Sequence, residues 1–236
     1  MSGHSKWSTI KHKKGLKDQK RGKIFSRLVR QIQIAARNNP DPDSNPALRT
    51  LIDKAKAANM PNDNIERAIK KGSGQEEGSN FEEITLEAYG PGGSAFLIEA
   101  ITDNRNRTVA EIKHLIEKNG GHMAEKGSVS WLFEKKLILT IDKALWNDEL
   151  ELLLIDAGLE DSQKTDKSVL LLINPRFEAQ VKDVLKSANI KIESEEFDWQ
   201  AKNFLRLSKE DTEKNEKLND LINDHDDIKA VYNNLL

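Results

Sequence analysis

Lys6, Trp7, Lys11, His12, Lys13, Lys14, Lys17, Lys20, Arg21 and Lys23 crowd into the short stretch 6–23. Cations at this density suit a polyanion. Each phosphate they neutralise releases counterions, which gives tight, salt-sensitive binding that is indifferent to sequence. Trp7 among them can stack on a base. The competing reading is a solvated terminus with Trp7 packed onto the body. The charge balance favours nucleic acid: residues 1–37 hold eleven Lys and Arg against the one acid Asp18, a net of +10. Residues 1–72 hold 17 against 6, a net of +11, and the remainder holds 20 against 33, a net of −13. A chain polarised in this way points one end at a polyanion, and its acidic remainder discourages non-specific coating.

Two further constellations carry positive charge. Lys23, Arg27, Arg30 and Arg37 share one face of a helix expected over 23–37, either as phosphate contacts or as an ordinary wet face. The loop Thr102-Asp103-Asn104-Arg105-Asn106-Arg107-Thr108 sits between a strand and a helix N-terminus. Free N–H groups, the helix dipole, Asn104, Arg105 and Arg107 can together hold a phosphate there. The alternative is a capped loop in which Asp103 pairs with an arginine. A turn near Pro61 separates two short helices in helix-turn-helix fashion, with Asn64, Arg67, Lys70 and Lys71 pointing outward. Plain bundles share that spacing, so a base-reading role rests on little.

Other chemistries find few residues. The chain has no cysteine, which excludes disulfides and thiolate metal sites and fits an intracellular home. Its five histidines show no metal-ligand spacing. Gly90-Pro91-Gly92-Gly93-Ser94 lacks the Lys and Ser/Thr ending of a phosphate loop and lies between strands. No mechanistic motif of an enzyme is present. A non-enzymatic protein with no cofactor is expected, cytoplasmic, without a membrane span or secretory signal, and with no small-molecule substrate. The absence of heptads makes monomer the expected state.

The elements that must position these residues follow from periodicity. Residues 1–22 read as a basic arm broken by Gly15 and Gly22. Residues 23–75 read as a three-helix bundle, with Asn45 capping a second helix that opens at Pro46 and a third helix over about 63–71 ending at Gly72. Gly72–Asn80 is a linker. Beyond it the period changes to that of strands, with Ile84–Tyr89 and Ala95–Thr102 as a hairpin, a helix opened by a Thr108–Glu111 capping box, and a strand over Ser128–Glu134. Residues 136–202 run β-α-β-β-α-β, a ferredoxin-like order. Residues 203–236 offer a strand at Phe204–Leu207, a charged helix over about 210–223 and a strand at Ile228–Tyr232. This tail is too small for a core of its own and is expected to complete the domain begun at 81–135. The fold class is therefore α+β and multidomain: a helical bundle followed by two α/β, ferredoxin-like domains, with 136–202 inserted into 81–135 plus 203–236.

Several blocks carry a family resemblance. Gly3-His4-Ser5-Lys6-Trp7, Ile10-Lys11-His12-Lys13 and Lys20-Arg21-Gly22-Lys23-Ile24-Phe25 resemble the opening of the YebC family. Tyr89-Gly90-Pro91-Gly92-Gly93, the Thr102–Thr108 loop and Lys126-Gly127-Ser128-Val129 resemble its middle blocks. Ala88 departs from the Gly often found in relatives, and the C-terminal third matches more loosely. The resemblance implies a helical bundle and two α/β domains, no cofactor, no established catalytic residues and a role in gene expression. Bacterial members are usually described as probable DNA-binding transcriptional regulators. Mitochondrial relatives are described as translational activators, and a ribosome-linked role has been proposed for bacterial members too. The polyanion is then DNA, or alternatively RNA and the ribosome.

Overall fold

The structure, a computed structural model, describes residues 19–77 and 80–236, with the backbone alone for 19–21. Helix α1 spans Gln19–Ala36. It begins four residues before the predicted start, and Gly22 lies within it. An exposed glycine lowers helix stability by only about 1 kcal/mol relative to alanine, and the neighbouring Gln, Lys and Arg are good helix formers. Helices α2 (Pro46–Ala57) and α3 (Asn62–Gly72) follow. Leu28, Ile32 and Ala36 of α1 meet Leu48, Ile52 and Ala55 of α2 and Ile65 and Ala68 of α3 in one buried cluster. Asn45 accepts from Leu48 N at 3.1 Å and donates to Ala35 O at 2.9 Å, so the cap of α2 also ties down the end of α1. Gly72 lets α3 approach α1 closely: a Cβ there would stand 2.3 Å from Gln33 O.

From residue 82 the order is β1 (Glu82–Tyr89), β2 (Ala95–Thr102), α4 (Arg105–Lys118), β3 (His122–Met123), β4 (Phe133–Asp142) and α5 (Asp148–Asp156). It continues with β5 (Leu159–Lys164), β6 (Ser168–Ile173), α6 (Glu178–Ser187), β7 (Ser194–Ala201), α7 (Lys209–Asp224) and β8 (Ile228–Asn233). Two compact units emerge, one of residues 134–200 and one of the chain on either side.

In the flanking unit the strands order β3-β1-β2-β8. Strands β1 and β2 pair antiparallel from Glu82↔Thr102 to Tyr89↔Ala95, and β8 pairs antiparallel with β2. Alternation puts Ile84, Leu86, Phe96, Ile98 and Val231 on one face, where Ile112 and Ile116 of α4 and Leu218 and Ile222 of α7 cover them. In the 134–200 unit the strands order β5-β6-β4-β7, with antiparallel pairing of β4 to β6 and β5 to β6. That arrangement with its β-α-β-β-α-β order is ferredoxin-like. Its core joins Leu137, Leu139, Val169 and Leu171 to Leu150 and Leu154 of α5 and Val181 and Leu185 of α6. No helix among the described residues is long and apolar enough to cross a membrane.

Three local expectations are corrected. Helix α4 opens at Arg105 rather than Thr108, because Asn104 caps it by accepting from Arg107 N at 3.1 Å. Ser128–Glu134 is not a separate strand: β4 begins at Phe133, and the loop before it directs its N–H groups at a side chain. The buried Glu87 carboxylate accepts from Gly127 N at 2.7 Å, Val129 N at 2.5 Å and Ser130 N at 2.9 Å, which removes these donors from any ladder. Phe204–Leu207 forms no strand, only an isolated parallel bridge between Leu205 and Leu235.

Candidate nucleic-acid interface

The cationic face of α1 lies against the end of α7 and the start of β8. Lys23 Nζ donates to Asp224 O at 2.9 Å, and Arg27 donates to Asn223 O and, at 3.2 Å, to His225 O. These carbonyls close a helix, where the macrodipole favours positive charge. Burial holds the Arg27 guanidinium below its ordinary pKa, against the pull of Asp224 and Asp226. Arg37, at the other end of α1, donates to Phe81 O at 2.5 Å and to Asn80 Oδ1 at 3.3 Å. Beside it is a hollow of about 230 Å³ lined by Arg37, Lys71 and Glu76 among others.

Asp227 is the centre of this contact. Its side chain is 4% exposed. Arg30 Nη1 reaches Oδ1 at 2.6 Å, while Arg107 Nη2 at 2.8 Å and Thr108 Oγ1 at 2.5 Å reach Oδ2. Burial alone would raise its pKa. The hydrogen bonds from Thr108 and Arg107 and the charges of Arg30 and Arg107 outweigh burial, so the carboxyl lies below the usual aspartate value. The same pairing raises Arg107, first through its hydrogen bond to Asp227 and then through that charge.

In the loop, Asn104 is used as the cap of α4. Arg107 also meets Asp103 at 3.0 Å, the pairing that the capped-loop alternative describes. Arg105 differs. It is 60% exposed and lies 3.7 Å from Glu82, itself half exposed, a pair that water screens. Of the three loop residues it has the most freedom to meet a phosphate.

His225 adds a polar bridge. Its Nδ1 accepts from Asp227 N at 3.2 Å, which puts the ring proton on Nε2, 2.8 Å from Glu111 Oε2. Among the described residues, Glu111, His225 and Asp227 form one group whose ligand atoms lie within 4.8 Å of one another. They fit a metal poorly, because Asp227 already carries two guanidinium partners whose charge opposes a second cation.

The structure thus brings Arg27, Arg30 and Lys23 to one acidic, carbonyl-rich segment and adds Arg107 from the loop. It keeps Arg37 and Arg105 apart from that centre. Lys6, Trp7, Lys11, His12, Lys13, Lys14 and Lys17 lie outside the described residues, and of Lys20 and Arg21 only the backbone is described. On α3, Arg67 and Lys70 are exposed, and Asn64 and Lys71 are half-buried. Sequence reasoning missed Asp227 and His225. The only signal was acid density at 224–227, which nothing in the sequence connects with arginines near positions 30 and 107.

Two family models cover the chain: "TACO1/YebC protein N-terminal domain" over residues 5–75 and "TACO1/YebC second and third domain" over 81–235. A protein of Geobacter sp. (strain M21) named a "Probable transcriptional regulatory protein" is 49% identical, spanning 99% of this chain and 95% of its own. A relative of the same name from Chlorobaculum parvum is 48% identical over 100% and 95% of the two chains. The crystal structure of a conserved hypothetical protein from Aquifex aeolicus superposes with a TM-score of 0.80 at 40% identity, covering 98% of this chain and 96% of that one. With both models matched in order and relatives aligned nearly end to end, the chain belongs to the TACO1/YebC family.

Proposed function

We propose that this protein is a non-enzymatic, monomeric regulator of gene expression that binds nucleic acid through its basic N-terminal segment, with DNA as the target. The observation that carries the reading is the charge division of the chain, +10 over residues 1–37 against an acidic remainder. The names of the relatives, as transcriptional regulatory proteins, support it. Hydrogen bonds within the protein already occupy some of the cations. Lys23, Arg27 and Arg30 are engaged with the 223–227 segment, so the phosphate contacts fall to Lys6, Lys11, His12, Lys13, Lys14, Lys20 and Arg21, with Trp7 stacking and Arg37 and Arg105 as outlying contacts. Asn104 and Arg107 act by shaping the loop that presents Arg105.

The test is fluorescence anisotropy of the full chain with labelled duplex DNA and with RNA across a salt series. The expected result is tight, salt-dependent binding of duplex DNA. Changing Lys11, Lys13 and Lys14 to Glu is expected to make the slope of log K against log salt shallower by roughly 2–3, the share of three phosphates. Affinity that does not respond to salt or to these changes refutes the arm as the contact.

A translation role through RNA or the ribosome is the second reading, favoured by the length of the basic arm and the absence of a dimerisation helix in the sequence. Co-sedimentation with ribosomes that is lost in the same triple variant supports it over the first.

A further inference from the structure

Trp131 is 62% exposed, a costly position for the largest side chain, yet it is firmly held. Its indole Nε1 donates to Ser128 O at 2.9 Å, and the Tyr89 hydroxyl donates to the same oxygen at 2.9 Å. Two donors fill the two lone pairs of one carbonyl. The loop carrying that carbonyl is itself fixed, since the buried Glu87 carboxylate takes the N–H groups of Gly127, Val129 and Ser130. From the other side Lys202 Nζ donates to Trp131 O at 2.8 Å. Tyr89 in turn packs on the exposed His122, with ring centroids 5.4 Å apart. The face of Trp131 is therefore presented to solvent by an assembly that leaves the ring little freedom, and binding to it loses little conformational entropy.

From this geometry we infer that Trp131 is a stacking platform for an unpaired nucleobase of single-stranded nucleic acid. The inference rests on the nucleic-acid reading above and adds a second site, separate from the arm, with its own ligand preference. Aromatic rings interleaved with cations are the pattern of single-strand binding. Here Lys126, His122 and Lys202 are exposed around the ring's anchors, and Phe204, also exposed, follows Lys202 by two positions. The acid Glu125 beside Lys126 offsets part of that charge. Stacking, not counterion release, then carries the contact, so the contribution of Trp131 is nearly independent of salt. A duplex offers no free base face, and its affinity comes from the arm.

The experiment measures anisotropy of labelled twelve-nucleotide oligo-rU, oligo-dT and a duplex with the full chain, Trp131→Ala and Trp131→Phe, at several salt concentrations. Trp131→Ala is expected to weaken both single strands by roughly ten-fold or more at every salt concentration and to leave the duplex unchanged. Loss for rU alone assigns the site to RNA, and equal loss for both assigns it to any unpaired base. Trp131→Phe, which loses the Ser128 hydrogen bond but keeps a ring, is expected to retain most of the affinity. Single-strand affinity unchanged in Trp131→Ala overturns the platform and leaves the arm standing, as does a change of oligomeric state instead, which makes the ring a protein contact. A wild-type chain that binds none of the three overturns the nucleic-acid reading and the platform with it.

Discussion

Arg30 and Asp227 stand 197 positions apart in the chain, and their side chains meet at 2.6 Å. One belongs to the helical bundle and the other precedes the last strand of the α/β sheet. Because Arg107 and Thr108 hold the second oxygen of the same carboxylate, three distant segments share one buried anion.

Removing that anion leaves two guanidinium groups facing each other without their shared partner. Asp227→Ala is expected to lower unfolding stability by about 3–5 kcal/mol, the range for removing one partner of a buried ion pair. Urea denaturation measures it. A loss below about 0.5 kcal/mol shows that water replaces the carboxylate.

Acid should act through the same group. Asp227 and Glu87 both lie below their ordinary values, Asp227 despite burial and through Thr108 and the arginines, and Glu87 despite burial and through three backbone N–H groups. A depressed carboxyl contributes stability that is complete above its unfolded pKa, about 4, and is lost as pH falls through the lower folded value. Unfolding free energy is therefore expected to fall steeply below about pH 4. Asp227→Asn and Glu87→Gln should each flatten that fall. A pH profile in either variant that matches that of the unsubstituted protein contradicts the assignment for that residue.

The two loop arginines are expected to separate. Arg107→Ala loses the contact to Asp227 and should lower the melting temperature measurably. Arg105→Ala, on an exposed and screened pair, should change stability by less than about 0.5 kcal/mol and weaken nucleic-acid binding. Calorimetry on both variants beside anisotropy on both decides the matter, and the idea fails if Arg105→Ala binds as wild type.

Gly72 makes a purely steric prediction. A methyl group at this position meets the backbone of Gln33, which has no flexible end to move aside. Gly72→Ala is expected to cost about 1–3 kcal/mol by forcing α3 away from α1. Thermal melts test it, and a neutral or stabilised variant means the bundle yields more easily than its packing implies.

The sequence by itself determined the α+β class, the family, the helix caps at Asn45, the turn at Gly90–Gly93 and the concentration of positive charge at one end. These are local properties. Apolar spacing, turn chemistry and charge counts act between neighbours, so they can be read in order along the chain. The tertiary structure decided what the charges do. Arg27 and Arg30 look like phosphate contacts while their neighbours alone are counted, and they become partners of the 223–227 segment once α7 and β8 fold against α1. Glu87 looks like one more surface acid until the 127–130 loop closes over it and turns an expected strand into a held turn. Trp131 read as part of that strand, and only the convergence of two donors on Ser128 O presents its ring to solvent. Pairings of this kind depend on which distant segments the apolar cores bring together. A Coulomb or hydrogen-bond energy follows distance in space, which separation along the chain does not specify.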